Sequence, residues 1–331
     1  MRLRLTPTLL LLALAAALLA LVAAGCGRDE DEEEGNGGGG AATTGDQLSG
    51  RIEVDGSSTV GPLVTVAAEE FRAEQPNVRV TVGISGTGGG FERFCVGETD
   101  ISNASRPIKD DEEAPICQEN GVEYTEIQVA TDALTVVVNP ENDWADCLTV
   151  EQLNKMWAPE AEGKVMRWSD VDPSFPDEKL VLAGAGTDSG TFDYFTDEIN
   201  GEEGASRSDY TASEDDNVTV RAVQGDKGAL GYFGFSYYEE NQDTLKAVGV
   251  DGGNGCVEPS VETAQAGEYV PLSRPLFVYV KNESLQRPDV KAFVQFLLDN
   301  AQTIAETALF VPLNDEQLEE SKSTLAEAAG A

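Results

Sequence analysis

The chain repeats one local pattern three times: an apolar strand, a short loop rich in Ser, Thr and Gly, and the start of a helix. The three loops are residues 56–59, 85–90 and 186–191. Alternating or continuous apolar residues precede each loop, and residues typical of a helix follow it. This order of elements predicts an α/β fold, in which ligands bind at the carboxyl ends of the strands.

Three loops of this kind predict a site for an anion. The first turn of a helix leaves backbone N–H groups unpaired and carries partial positive charge. Glycine lets the backbone approach a ligand closely, and Ser and Thr hydroxyls add hydrogen-bond donors. One such loop alone is typical of an ordinary capped helix behind a tight turn, but three that converge would form a cage of neutral donors. The second loop also lacks the Lys-Ser/Thr pair of a nucleotide-binding P-loop.

The charge of the chain excludes one class of ligand. There are 60 acidic and 22 basic residues, and the formal net charge is −38. Nucleic acid binding needs a basic surface that displaces counterions, so we exclude nucleic acid as a partner. An anion remains possible, because neutral backbone and hydroxyl donors require no net positive charge.

The amino-terminal segment, residues 1–25, predicts export. Arg2 and Arg4 form a basic start, and residues 9–24 are a continuous apolar run of 16 residues. This is the plan of a secretory signal peptide, and the run is shorter than the ~20 residues of a spanning helix. An uncleaved membrane anchor is the alternative.

Residues 21–26, Leu-Val-Ala-Ala-Gly-Cys, resemble a bacterial lipobox, in which Cys26 becomes the lipidated first residue. Residues 26–47 contain an acidic run and four consecutive glycines, a composition that predicts a flexible tether. We therefore expect a globular body held at a membrane surface by a lipid.

The four other cysteines predict two disulfides. An even number in an exported chain favours disulfides. Cys95 and Cys117 are near in sequence whereas Cys147 and Cys256 are far apart, so the most economical pairing is Cys95–Cys117 with Cys147–Cys256. Zinc is the alternative, but the chain has no His and no Cys-x-x-Cys pair.

Several ordered segments make the body resemble a known family. They are residues 55–63 (Asp-Gly-Ser-Ser-Thr-Val-Gly-Pro-Leu), 84–90, 100–108, 167–170, 188–191 and 228–233. Over residues 52–312 the chain resembles the substrate-binding lipoproteins of bacterial phosphate ABC transporters, the Pst type. The resemblance implies an α/β, two-lobed periplasmic-binding-protein-like fold of type II, with the ligand in a cleft between the lobes.

The resemblance also implies lobe boundaries. Lobe one would comprise residues 48–132 plus 273–331, and lobe two residues 133–272. Residues 127–138 and 270–280 have strand-like sequences and would be the two hinge strands that join the lobes.

The family's ligand contacts carry over to eleven positions. They are Ser58, Thr59, Ser85, Thr87, Gly88, Asp100, Ser105, Arg106, Ser189, Gly190 and Thr191. Asp100 would accept a proton from hydrogen phosphate and so disfavour sulfate, which has none to donate. Many relatives carry an Arg a few residues before the Ser-Gly-Thr of the third loop, and this chain has no Arg there. Arg106, oriented by Asp188, is the expected substitute, and residues 215–217 are expected to edge the cleft.

These observations predict a function in transport. We expect a monomeric receptor, without cofactor or metal, that is lipid-anchored at the outer face of the bacterial cytoplasmic membrane. It would capture inorganic phosphate and deliver it to a membrane-embedded ABC permease without catalysing a reaction. The alternatives are a receptor for sulfate or molybdate, a phosphatase-like enzyme, and an adhesion or sensory protein on the same fold. A phosphatase without His would need a carboxylate or Ser nucleophile.

Overall fold

Strands and helices alternate through residues 47–330, the part of the chain that the computed structural model describes. The strands are β1 (Ser49–Gly56), β2 (Asn77–Val82), β3 (Ile101–Ala104), β4 (Tyr124–Val138), β5 (Cys147–Thr149), β6 (Val181–Ala185), β7 (Thr211–Ser213), β8 (Ala229–Gly234), β9 (Lys246–Ala247), β10 (Gly249–Asp251), β11 (Cys256–Val257) and β12 (Ser273–Lys281). The predicted signal peptide, Cys26 and all of the predicted tether except Gln47 lie outside the described residues.

The helices follow the strands in the α/β order that the sequence predicts. They are α1 (Val60–Glu74), α2 (Gly86–Cys95), α3 (Ala114–Glu119), α4 (Val150–Trp157), α5 (Trp168–Val171), α6 (Gly190–Asn200), α7 (Asp216–Gly225), α8 (Phe235–Asn241), α9 (Val261–Gln265), α10 (Asn282–Leu285), α11 (Pro288–Asp299), α12 (Ala301–Thr307) and α13 (Asp315–Ala328). A short 3₁₀ helix covers Pro159–Ala161. Within residues 47–330, none of these helices has both the length and the apolar character needed to cross a membrane.

One nine-stranded sheet organises the body. Its strand order is β2-β1-β3-β12-β4-β8-β6-β7, and β9 pairs with β4 beside this path. Strand β1 runs parallel to β2 and β3, and β6 runs parallel to β7 and β8. Between these two parallel blocks, β12 and β4 run antiparallel to each other. The order β11-β10-β5 forms a separate three-stranded sheet.

The two largest hydrophobic cores of the described residues are built on this sheet. The first packs α1 and α11 against the β1–β3 block, with Phe71 and Phe293 in edge-to-face contact at 5.4 Å. The second surrounds Trp157, whose ring lies 4.9 Å from that of Tyr232. Both belong to one compact unit. Strand β4 contributes Ala130 to the first core and Leu134 to the second.

The first core lies within the predicted lobe one and the second within the predicted lobe two. The exact boundaries of the lobes stay a prediction. The predicted hinge strands correspond to β4 and β12, which pair from Ala133 with Ser273 to Tyr124 with Lys281. Strand β12 begins at Ser273 rather than at residue 270. Pro271 has no N–H to donate to a ladder, which is consistent with this later start.

Both predicted disulfides are present. Cys95, at the end of α2, is bonded to Cys117 in α3. Cys147 in β5 is bonded to Cys256 in β11, so this bond joins the two outer strands of the smaller sheet.

Candidate functional site

The first of the three predicted loops connects β1 to α1. Ser57, which is buried, caps the helix, because its Oγ accepts the N–H groups of Thr59 (3.2 Å) and Val60 (3.3 Å). The cap therefore uses a different side chain from the two that the resemblance assigns to the ligand. Ser58 and Thr59 instead line a cavity.

The second loop differs from its prediction, because helix α2 begins at Gly86 rather than near Phe91. The glycines that appeared to form a loop are the first turns of the helix. Their low helix propensity is overridden by packing: a Cβ atom on Gly90 would lie 2.5 Å from the Cα atom of Gly56 at the end of β1. Glycine thus allows the start of α2 to approach the first loop closely.

Hydroxyl groups connect the second loop to the end of β3. The Oγ1 atom of Thr87 lies 3.1 Å from Ser105 Oγ and accepts the Ser105 N–H at 3.3 Å. Ser85, Thr87 and Gly88 all line the cavity, as does Ser105.

The third loop precedes α6. Ser189 Oγ accepts the Thr191 N–H at 3.2 Å, so these two residues form the cap of the helix. Only Gly190 of the predicted trio is in the cavity wall. A Cβ atom on Gly190 would lie 3.3 Å from Thr59 Oγ1, so the first and third loops are in near contact.

The cavity where these loops meet has a volume of about 480 Å³. Its walls come from the three loops, the segment after β3, one side of α6 and the start of β12. The lining residues are Ser57, Ser58, Thr59, Ser85, Gly86, Thr87, Gly88, Gly89, Ser105, Arg106, Pro107, Gly190, Asp193, Tyr194, Asp197, Glu198, Glu203, Arg274 and Pro275. Eight of the eleven predicted ligand residues are among them; Asp100, Ser189 and Thr191 are not.

Arg106 lines the cavity but is already paired. Its Nη2 and Nη1 atoms donate to the two carboxylate oxygens of Glu113 at 2.7 and 2.9 Å. Burial alone would raise the pKa of Glu113, but the hydrogen bonds from Arg106 and from the Lys109 N–H lower it below its usual value. Glu113 therefore orients Arg106, which corrects the expectation for Asp188. The backbone N–H of Asp188 donates instead to Glu214 at 3.2 Å.

Arg274 also lines the cavity, and sequence reasoning missed it. Its Nη2 atom donates to Thr59 Oγ1 at 3.0 Å and to Asp132 Oδ2 at 3.2 Å. The guanidinium carbon lies 3.5 Å from the centre of the Tyr194 ring. Asp132 is buried, and burial raises its pKa although Arg274 acts in the opposite direction. The sequence feature that could have identified Arg274 is the presence of one Asp (Asp132) and one Arg (Arg274) inside the two apolar segments predicted as hinge strands.

The structure corrects the assignment of Asp100, which lies at the other end of β3 from the cavity. Its Oδ1 atom accepts hydrogen bonds from Ser284 Oγ (2.7 Å) and Arg287 Nη1 (2.8 Å), and its Oδ2 atom accepts the Glu53 N–H (3.0 Å). Asp100 precedes β3, whereas Ser105 follows it. At ~3.3 Å per residue the strand separates their backbones by more than 10 Å. The carboxylate therefore connects the start of β3 to β1 and to α10.

The segment 215–217 is also outside the cavity wall. Asp215 caps α7, since its Oδ1 atom accepts the Asn217 N–H at 3.0 Å. Burial, with Asp215 and Glu214 nearby, raises the pKa of Asp216 to about 6. These residues form a helix start and do not contact the cavity.

Comparison with known proteins agrees with this architecture. A family model described as a PBP superfamily domain matches residues 41–301. The chain is 49% identical over 277 residues to protein SphX of Synechocystis sp., covering 83% of this chain and 82% of that protein. It is 40% identical over 283 residues to the phosphate-binding protein PstS of Staphylococcus saprophyticus, covering 85% and 86%.

Solved structures give the same result. A possible phosphate binding protein from Planctomyces limnophilus is 49% identical, with a TM-score of 0.81 and coverage of 85% of this chain and 99% of that one. A putative phosphate ABC transporter substrate-binding protein from Clostridium perfringens, solved with bound phosphate, is 26% identical, with a TM-score of 0.53 and coverage of 80% and 100%.

The α/β architecture, with its cavity at the ends of the strands, is that of the PBP superfamily. The chain belongs to the PstS-type phosphate-binding proteins of that superfamily. The family and fold class inferred from the sequence are thereby confirmed.

The new placement of Asp100 generates a prediction. Asp100→Asn removes the charge that faces Arg287, so we expect the free energy of unfolding in urea to fall by about 1–3 kcal/mol. We expect the affinity for phosphate to stay that of the wild type, because Asp100 is outside the cavity wall. Asp243→Asn, an exposed acid-to-amide change, is the matched control and should alter neither quantity. Weaker phosphate binding with unchanged stability would return Asp100 to the ligand site.

Proposed function

We propose that this protein captures inorganic phosphate outside the cytoplasmic membrane and delivers it to an ABC permease. The observation that carries the proposal is the meeting of three helix amino termini and several Ser and Thr hydroxyls at one cavity. Its support from comparison is the 40% identity to a protein named as phosphate-binding and 49% identity to a structure named as a possible one.

Neutral donors would hold the phosphate oxygens. Helices α1, α2 and α6 have 15, 10 and 11 residues, long enough for the dipole of each helix to place partial positive charge at its start. The hydroxyls of Ser58, Thr59 and Ser85 add donors that can turn towards an oxygen. These contacts act at short range, and they remain favourable although the chain as a whole is strongly acidic.

The acidic wall of the cavity would discriminate between anions. Asp193, Asp197, Glu198 and Glu203 all line it, and their charges oppose the entry of a dianion. Hydrogen phosphate can donate its proton to a carboxylate, whereas sulfate cannot. We assign the acceptor role to Asp193, which is one helical turn from Gly190. Burial, and then Glu203, raise its pKa, while Arg274 lowers it.

A receptor fits the cavity better than an enzyme does. Ser57 Oγ is occupied by the cap of α1, and Thr87 Oγ1 lies against Ser105 Oγ. These hydroxyls contact one another and the backbone, and the chain has no imidazole that could activate them as a nucleophile. We therefore expect no release of phosphate from a monoester.

Calorimetric titration of the purified chain with phosphate, sulfate and molybdate tests the proposal. We expect phosphate to bind most tightly, and Ser58→Ala to weaken it by about tenfold or more, since hydrogen bonds to charged groups contribute ~1.5–3 kcal/mol. Ser323→Ala, at an exposed position of α13, is the matched control and should bind like the wild type. Equal or tighter binding of sulfate or molybdate would contradict the proposal.

The role of Asp193 has its own test. Asp193→Asn gives the cavity an amide that can donate to sulfate, so we expect the ratio of phosphate to sulfate affinity to fall at neutral pH. In the wild type the same ratio should fall as the pH drops through the raised pKa of Asp193, because the protonated carboxyl can then donate. Asp188→Asn, exposed and outside the cavity wall, should keep the wild-type ratio. A ratio unaffected by Asp193→Asn would remove the residue from this role.

The membrane attachment rests on the sequence. We propose that Cys26 is lipidated, as the lipobox-like residues 21–26 indicate, and that the protein acts at the outer face of the membrane. Cys26→Ser should abolish labelling by a fatty-acid probe in the bacterial host and release the protein from the membrane fraction. Continued labelling of this variant would disprove the assignment.

A further inference from the structure

We propose that Arg274 makes the cationic contact with the bound anion and that its stacking on Tyr194 connects this contact to helix α6. The inference rests on the proposed function, since it concerns the same cavity. It assigns a role to a residue outside the three loops, on a strand that contributes to the first core and begins directly after Leu272 of the second.

The position of Arg274 is fixed by the sheet. Arg274 of β12 lies directly opposite Asp132 of β4 in the antiparallel ladder. Its Nε and Nη2 atoms donate to the same Asp132 oxygen, at 3.3 and 3.2 Å. Because Asp132 is buried, this ion pair holds one edge of the guanidinium group firmly against the strand.

Arg274 keeps one whole Nη group free of protein acceptors, which Arg106 does not. Within residues 47–330, no protein atom accepts a hydrogen bond from Nη1 of Arg274. Both Nη atoms of Arg106, in contrast, donate to Glu113, and its Nη1 also donates to the Pro107 carbonyl. Each arginine uses three of its five N–H groups, but only Arg274 leaves both N–H groups of one Nη atom for a ligand oxygen.

Arg274 also orients a hydroxyl of the first loop. Its Nη2 atom donates to Thr59 Oγ1 at 3.0 Å, so this oxygen acts as an acceptor towards Arg274. A hydroxyl that accepts from a cation directs its own hydrogen elsewhere, and Thr59 lines the cavity. Thr59 thereby becomes a donor for the anion.

The face of the guanidinium group contacts helix α6. Tyr194 lies one turn after Gly190, and its ring centre is 3.5 Å from the guanidinium carbon. The hydroxyl of Tyr194 donates to the Pro271 carbonyl at 2.7 Å, which fixes the ring beside the start of β12. One side chain thus touches both the first loop, through Thr59, and the helix that begins at the third loop, through Tyr194.

The surrounding charges favour the same role. Burial raises the pKa of Asp193 and Glu198, and the charge of Arg274 lowers both, so Arg274 interacts electrostatically with the acidic wall. Without Arg274, the four carboxylates of that wall would face only Arg106, which Glu113 already neutralises. An anion would then meet only an arginine whose two Nη atoms are both bonded to Glu113.

Titration of Arg274 variants with inorganic phosphate tests this inference. We expect Arg274→Gln to weaken binding by about 10- to 100-fold, in the range of one hydrogen-bonded charge, and Arg274→Lys to recover only part of the loss, because one ammonium cannot replace the planar fork. Arg167→Gln, which removes an exposed arginine far from the cavity wall, should bind like the wild type. Free guanidinium ion at low millimolar concentration should restore part of the affinity of Arg274→Ala without a matching gain in its free energy of unfolding in urea, whereas a purely structural role would make the two recover together.

Tyr194→Leu keeps the charge of Arg274 but removes the stacked ring, so it should weaken phosphate binding less than Arg274→Gln does. Combined with Arg274→Gln it should add less than its single effect, because the two residues act together. Urea unfolding of each variant identifies any that is unfolded under the conditions of the titration. If Arg274→Gln is unfolded, the phosphate affinity of Arg274→Lys decides whether Arg274 contacts the anion.

A wild type that fails to bind phosphate would refute the proposed function. If the wild type binds phosphate, and folded Arg274→Gln and Arg274→Lys variants bind it as tightly as the wild type does, this inference alone would be overturned. An equal loss in Arg167→Gln would also overturn it, since the effect would then follow net charge.

Discussion

The placement of helix amino termini at the ends of β-strands is the constraint on which the rest of the site depends. Helices α1 and α2 follow strands of one parallel block, and α6 follows a strand of the other. The antiparallel pair β4 and β12 lies between the blocks and brings the two sets of helix starts to one cavity. Because a helix start carries partial positive charge, and its first N–H groups have no partner within the helix, this topology concentrates neutral donors where no excess of basic residues exists.

Charge in the cavity is arranged in compensated pairs. Arg106 is matched by Glu113 and Arg274 by Asp132, so neither cation is left isolated when the site is empty. The carboxylates of α6 add negative charge at the same place. Such a site cannot attract anions by net charge. It can hold one by directed hydrogen bonds, and these depend on geometry and on the protonation of the ligand.

Much of this architecture could be predicted from local sequence. The three loops and the α/β class follow from patterns within short segments, and both disulfides follow from the even number of cysteines and the nearness of Cys95 to Cys117. The predictions that were wrong concern the positions of residues relative to one another in space, which such segments do not reveal. Asp100 and Arg106 are six residues apart, yet the four residues of β3 separate them, so that one lies before the start of this strand and the other after its end. The sequence predicts a loop at the glycines of α2, because their packing against Gly56 is a tertiary contact that the local sequence does not show. Arg274 is 215 residues from Thr59 along the chain, so no local pattern joins them.

The most direct test of the account is a crystal structure of the protein with inorganic phosphate. The account predicts the phosphorus atom in the cavity between the starts of α1, α2 and α6. Its oxygens should accept hydrogen bonds from backbone N–H groups and from the hydroxyls of Ser58, Thr59 and Ser85. Phosphate bound only through arginine side chains, or at a site away from these three helix starts, would contradict it.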